Sequence, residues 1–600
     1  MLPDTSSYFD RLTKNNEVPI DSTMAEVRKL LSDPLKQLEE IEMETKRLET
    51  KRLDIEASIR NFRRILAPVR RVPHDILCTI FEHCLPTDRN PTMAADEAPM
   101  LLTRVCSTWR SIAMGSPRLW AQIYIPFRRE TDDYRYQRWA GDPVVPQNLM
   151  TTVLQNRCYA IQEWLSRSGD LPLSISIGYQ RGLPRNYTAN IDAVAIDKLT
   201  QMLLEILLLL SPRWQSLDIN LPDGMYYELE KMLSTHTLPF LRRLRISTFP
   251  LPDWTPGRFP PTSLLRAPNL KYVSLTCGKV TDLLPAVNHV SSPLTGWSTG
   301  ITNVSLSTCG LKSCVALFKS HPTLVKCNLF LEPDNWQPDN ETVIPKTIHS
   351  PHLHSLWINT GGNLGLLNFA PALFNAIQAP NLQHFAYYNS SGPYGDTLSE
   401  IANDELPLSF FHGAINLTSL EIDRFFLKPS NILAILESLP RLTRLAFTAK
   451  HDITSSQFAS LEMETFDLEA LVIRRDVDGE LNPSTSTSIQ LLPCLEVFEL
   501  HRAIVTDEQV LRFISSRMNP KSHIAVLKTV KVYFDRLKEY DGSLDLVEET
   551  RCRADTAGIQ IHTKFRYSLT IFDVEKSRNF LSPSYKASEQ KYDNNEEWAK

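Results

Sequence analysis

A short phrase, L-x-x-L-x-Φ with Φ an apolar residue and usually a proline just ahead, recurs along most of this chain and constrains its fold more than any other feature. Clear copies are LPFLRRLRI from Leu238, APNLKYVSL from Ala267, GITNVSL from Gly300, HPTLVKCNL from His321 and SPHLHSLWI from Ser350. APNLQHFAY from Ala379, AINLTSLEI from Ala414, LPRLTRLAF from Leu439, FDLEALVI from Phe466 and LPCLEVFEL from Leu492 continue the series. LPLSISI from Leu171 and WQSLDI from Trp214 are looser copies ahead of it. The spacing is irregular, roughly 23 to 35 residues. The last two apolar positions of each phrase alternate, so they point to one side of a short strand. A polar loop follows and then, usually, an amphipathic helix such as that around Ile432, Ile435 and Leu436. Neither element can bury its apolar side alone, so neighbouring units must stack into a solenoid.

The phrase resembles the leucine-rich repeat, without that family's invariant asparagine. The resemblance implies a mixed α/β fold, a β/α solenoid of horseshoe form whose concave face binds a protein target. Residues between the buried positions would line that face: Arg243 and Arg245, Tyr272 and Ser274, Lys326, Asn328 and Phe330, then Ser355, Trp357 and Asn359. His384, Tyr388, Glu421, Asp423 and Arg444 continue it. Its centre is aromatic and its flanks charged. Phe330, Trp357 and Tyr388 are the expected anchors, with Lys326, Asn359 and His384 fixing the register of a bound segment. The competing reading folds the loops 332–348 and 389–406 over these rings.

Ahead of the repeats, residues 65–120 carry two apolar stripes. Pro73 can open a helix, and Ile76, Leu77, Ile80, Phe81 and Leu85 recur at helical spacing until Pro86 ends it. Leu101, Val105, Trp109 and Ile112 form the second stripe, closed by Gly115 and Pro117. The segments Val72-Pro73-His74-Asp75-Ile76-Leu77 and Val105-Cys106-Ser107-Thr108-Trp109-Arg110 resemble the two halves of an F-box. Val72 stands where that family has leucine, and the loop between the halves is longer than its common form. The resemblance implies docking on a Skp-family adaptor, and through it on a cullin ubiquitin ligase. Pro73, Ile76, Leu77, Ile80, Phe81, Val105 and Trp109 would form the adaptor-binding surface. The bland alternative is a helical hairpin that caps the repeats.

Before this hairpin, Thr23-Met24-Ala25-Glu26 has capping-box form and starts a short helix, and Asp33-Pro34 restarts one. Leu38, Ile41, Thr45, Leu48, Arg52, Ile55, Ile59, Phe62 and Leu66 then alternate steps of three and four. Glu42–Lys46 and Glu56–Arg60 would support the outer side. Thr45 and Arg52 interrupt the seam. Either this helix self-associates weakly with a second copy, or it folds back on Val27, Leu30 and the hairpin; folding back is the favoured reading. Helices of this kind precede the F-box in many fungal F-box proteins.

These readings divide the chain into an N-terminal helical segment (1–66), an F-box-like domain (67–126), a helical linker (127–165), the repeat array (166–575) and a polar, disordered tail (576–600). Net charge is −5, with a pI near 6.3, which argues against a partner held by nucleic-acid phosphates. The longest apolar run, 202–210, is too short to cross a bilayer and contains Glu205. The first residues lack the basic start and apolar core of a signal peptide. The ten cysteines have no framework spacing, so they read as reduced thiols of a cytoplasmic or nuclear protein. No nucleophile elbow, zinc-protease helix or phosphate loop occurs. His349, His352 and His354 alternate around buried leucines, and 476–479 starts like a calcium loop but lacks its closing glutamate. The expectation is a binding protein with no catalytic site, metal or cofactor.

Overall fold

The structure, a computed structural model, describes residues 12–14, 18–127, 147–179, 202–249, 263–276, 297–331, 347–360, 370–389, 406–423, 427–448, 467–473, 491–503, 505–519, 524–535 and 545–567. The tail 576–600, the turn at 476–479 and most of the loops 332–348 and 389–406 lie outside these residues. The chain divides into two compact units, 1–80 and 81–600.

The first unit is dominated by one helix, α1 (Asp21–Ile65), 45 residues long. Pro34 lies inside it, so the expected restart there does not occur. A proline removes one backbone bond, and the good helix formers on both sides carry the helix past it. Val27 and Leu30 therefore continue the same helix and cannot receive a returning one. The surface ion pairs are Glu44–Arg47 and Arg52–Glu56 rather than those expected from spacing. A second helix, α2 (His74–His83), follows and runs across the boundary between the units.

In the second unit, the stripe expected as one helix from Leu101 to Ile112 is broken in two. Cys106 is fully extended (φ −159°, ψ 172°) between α3 (Leu102–Val105) and α4 (Ser107–Met114), and its Sγ accepts from the Trp109 amide as an N-cap. Arg110 Nε donates to the Thr103 carbonyl at 2.8 Å and ties the two pieces together.

The rest of the unit is built on one 14-stranded sheet, all parallel, whose strands lie side by side in chain order. They are β1 (Gln122–Phe127), β2 (Leu173–Tyr179), β3 (Trp214–Pro222), β4 (Arg243–Phe249), β5 (Tyr272–Thr276), β6 (Asn303–Cys309) and β7 (Lys326–Leu331). Then come β8 (Ser355–Thr360), β9 (His384–Asn389), β10 (Ser419–Asp423), β11 (Arg444–Thr448), β12 (Val497–Ala503), β13 (Thr529–Phe534) and β14 (His562–Arg566). The sheet is not closed: β1 and β14 are its two edges. Because β1 already belongs to it, the sheet starts well before residue 166. The stretch read as a linker contains α5 (Gln147–Ser166), the connection from β1 to β2. Trp164 of α5 packs edge-on against Trp120 at 4.8 Å and donates to the Gln122 carbonyl.

Each phrase builds its strand in the same way. The first leucine, as in Leu241, Leu270, Leu353, Leu382 and Leu442, is fully buried in a turn just before the strand. Its amide donates to the residue ahead of the proline, for example Leu382 N to Ala379 O at 3.1 Å. Proline fits the second place of such a turn because its φ is already set. The next two apolar positions enter the strand on one side. One line of the register runs from Ile123 through Leu356 to Val530, and a second from Ile125 through Ile358 to Val532. Helices cover this side: α6 (Asp223–Leu233), α7 (Leu311–Ser320), α8 (Ala370–Ala376), α9 (Leu408–Gly413), α10 (Pro429–Glu437), α11 (Asp507–Ser516) and α12 (Leu546–Ala557). Phe374 of α8 and Phe410 of α9 close on Phe385, at 5.7 and 5.0 Å between ring centroids. Each buried leucine of this kind stabilises the sheet by about 2 kcal/mol.

The turns are joined to one another as well. Asn269 Nδ2 donates to the Pro239 carbonyl at 2.7 Å, Asn381 to Pro351 at 2.8 Å and Asn416 to Pro380 at 3.0 Å, each reaching the turn of the preceding strand. Elsewhere threonine makes the step, as with Thr443 Oγ1 to the Thr418 carbonyl at 3.0 Å. One phrase departs from the rule. FDLEALVI forms a 3-10 turn (Leu468–Leu471), because β11 pairs directly with β12 and leaves no place for a strand between them. Arg517, buried beneath it, donates to the carbonyls of Leu471, Leu491 and Leu492 and holds the turn in place.

Candidate functional site

One surface that carries residues singled out by the sequence is the side of the sheet opposite the helices. Strand register aligns its side chains in rows: Lys326–Ser355–His384, Asn328–Trp357–Ala386 and Phe330–Asn359–Tyr388. Lys326, Phe330, Trp357 and Asn359 are half-buried and His384 is exposed. The alternation of the strands thus places all six expected residues on one side, with Trp357 one row behind Phe330 and Tyr388.

Tyr388 differs from the expectation of an open ring, since only 6% of it is exposed. Burial, and then the Glu421 carboxylate to which its hydroxyl donates, push its pKa far above the usual phenol range. Asp423 and Ser355, also expected to line the face, are buried. The ring cluster therefore narrows to Phe330 and Trp357, backed by a closed Tyr388–Glu421 pair.

Beyond Tyr388 the face becomes a charge network, of which the sequence reading named Glu421 and Arg444 but not the continuation from Glu499. Arg444 lies 3.4 Å from Glu421 and 3.7 Å from Glu499. Glu499 also meets Lys531 at 3.3 Å and His501 Nε2 at 2.8 Å. The His501 hydrogen bond foremost, and then Lys531, lower the Glu499 pKa to about 2 against the opposing effect of burial. A bulge between Leu500 and Ala503, with Arg502 at φ 49°, sets His501 beside this carboxylate. The His501 ring stacks on Tyr533 at 4.4 Å, and the Lys564 ammonium lies 5.8 Å from the Tyr533 centroid. Glu499 sits between two buried positions of a recognised phrase and was accessible to the same rule. Lys531 and Tyr533 were missed because their phrase, Leu527-x-x-Val530-x-Val532, has valines in place of leucine. At the other end, Arg245 pairs with Asp218 at 3.8 Å and Arg243 covers the Tyr272 ring at 5.1 Å.

The remaining expected residues, those of the hairpin, are divided between the two units. In the first unit Pro73, Ile76 and Ile80 are exposed, the two isoleucines by 48% and 42%, while Leu77 is buried. In the second unit Val105 is 54% exposed and Leu101 45%. Phe81 is fully buried, with its ring 4.8 Å from that of the half-buried Trp109. Leu77 and Phe81 are therefore buried here, and Pro73, Ile76, Ile80 and Val105 are the exposed ones among the seven. The loop after α2 is ordered by Glu97, which accepts from Arg89 twice at 2.9 Å and from both the amide and hydroxyl of Thr92. Burial works to raise the Glu97 pKa, and these hydrogen bonds together outweigh it and lower it.

This loop also meets the edge of the sheet. The Tyr124 amide on β1 donates to the Pro91 carbonyl at 2.7 Å, and Asn90 bonds Ser174 and Ser176 of β2 at 3.1 and 2.9 Å. An edge strand otherwise presents unpaired backbone groups.

Among the described residues, no group of three or more His, Cys, Asp or Glu side chains stands close enough to hold a metal ion. No described helix is long and apolar enough to cross a membrane. No known family model matches the chain, and a search of curated proteins found no match either.

Proposed function

We propose that this chain is a substrate-recognition subunit of a cullin-type ubiquitin ligase, non-catalytic itself, with the hairpin binding a Skp-family adaptor and the sheet face binding a protein target. In this reading the strand–loop–helix units stack as a leucine-rich-repeat-like solenoid whose inner side carries Phe330 and Trp357. The observation that supports it most is the exposure of Ile76 and Ile80 on the helix that holds the Pro73-to-Leu77 motif, and of Val105 at the head of the Val-Cys-x-x-Trp motif. Apolar side chains held out on short helices are suited to a dry contact with another protein. The adaptor arm is tested by co-purification: Ile76→Asp with Ile80→Asp should abolish adaptor binding and leave the far-ultraviolet spectrum unchanged. Undiminished adaptor binding by this variant would overturn the reading. Phe81→Ala is the poorer test, because its loss of binding would follow from a damaged interior. On the target side, Trp357→Ala should abolish capture while adaptor binding and melting temperature stay as they were. Unfolding would instead assign Trp357 to the core.

A second reading, a repeat scaffold capped by the hairpin, draws on one specific contact: the Pro91 carbonyl accepts from the Tyr124 amide of the edge strand β1, with Asn90 bonded to side chains of β2 beside it. Under it, deletion of residues 1–120 melts the sheet, and no adaptor co-purifies with the intact chain.

A further inference from the structure

We propose that α1 pairs antiparallel with α1 of a second copy of this chain. Its continuity through Pro34 extends the seam beyond the stretch legible before: Val27, Leu31, Leu38, Ile41, Leu48, Ile55, Ile59, Phe62 and Leu66 fall on one alternation of three and four, whose other places are held by Pro34, Thr45 and Arg52. These residues are 41 to 71% exposed, and no described part of the first unit covers the seam. It runs about 58 Å at 1.5 Å per residue, well past the three to four heptads that mark a coiled coil.

The occupant follows from charge. Over the seam, residues 27–46 carry five acidic and four basic side chains, and residues 47–66 carry three acidic and six basic. Two copies side by side in the same direction would set like halves together and place Arg52 opposite Arg52. Turned end for end, the acidic half of each copy lies along the basic half of the other. Arg52 then faces an apolar position of the partner, and its guanidinium is already turned outward to Glu56 at 3.1 Å. A second copy thus complements this helix in shape, length and charge. The proposal is independent of adaptor binding.

Sedimentation equilibrium on the full chain at micromolar concentration should give twice the 68.5 kDa chain mass. Leu38→Asp with Ile59→Asp should raise the dissociation constant by about a hundredfold or more, with the urea midpoint of the sheet unchanged. Orientation is read by mixing a Leu38→Cys chain with an Ile55→Cys chain, adding a short bismaleimide and identifying linked peptides by mass spectrometry. These positions are about 25 Å apart along one helix, so peptides that join the two introduced thiols, one from each chain, arise only from antiparallel pairing. A monomeric wild-type chain, a dimer indifferent to the double aspartate variant, or cross-links confined to like positions would each overturn the proposal.

Discussion

The long helix and the sheet use apolar residues in opposite ways. In α1 the seam leucines and isoleucines follow a strict period and remain exposed; in the sheet the phrase leucines follow a loose spacing and are buried. A helical period fixes local conformation and which residues share a side, but leaves open what meets that side. The phrase specifies more, because its turn, its strand and its apolar pair are satisfied only by an adjacent copy of the same phrase. Regularity of pattern and self-sufficiency of packing are thus separate properties.

The sharpest way to break this contrast is to cut one apolar side chain from each region. Phe385→Ala removes a ring that touches Phe374, Phe410 and Phe411, and should destabilise the sheet by about 3–5 kcal/mol in urea. Leu48→Ala on α1 should leave the sheet's transition where it was, and equal shifts would erase the distinction. Next in size is Arg517→Met. It leaves two buried carbonyls and one part-buried carbonyl without their donor and should cost about 2–3 kcal/mol in the same assay.

A smaller effect is expected at Glu499. Its folded pKa is depressed to about 2 from an ordinary value of 4.5, so its stabilisation is present above about pH 4.5 and is lost as the pH falls towards 2. Glu499→Gln should therefore cost about 1–2 kcal/mol near pH 7, and the difference from wild type should shrink steadily between pH 5 and 3. A difference independent of pH would mean that the carboxylate acts by shape alone. The smallest is Asn381→Ala, which removes one bond between adjacent turns at a solvated edge. Urea denaturation should register a loss of about 0.5–1 kcal/mol, and a loss as large as that of Phe385→Ala would make the turns, not the core, the basis of stacking.

Most of the sheet was legible because one rule, alternate burial after a buried leucine, holds strand after strand. That rule also placed Lys326, Phe330, Trp357, Asn359, His384 and Tyr388 on a common side. It could not tell that Tyr388 would be closed off, because that depends on Glu421 from the next strand rather than on its own phrase. FDLEALVI satisfied the rule and formed no strand, since pairing partners are set by the sheet as a whole. β13 was overlooked because valine serves as well as leucine at a buried strand position. At the hairpin, spacing identified the apolar residues but not which of them face out. Leu77 and Phe81 turned inward, and the break at Cys106 is a local extended residue that no helical period announces.

The carbonyl-to-asparagine links between successive turns have a consequence for how such a chain can vary. They bind the sheet along one margin, as pages are bound at a spine, and set a common step there. The segments that leave the opposite ends of the strands differ in length without moving the margin: one residue separates β6 from α7, and nine separate β8 from α8. Closing a loop of twice the length costs only about 0.6 kcal/mol more. Residues gained or lost in those segments would thus change the surroundings of the face while the spine keeps the step between strands.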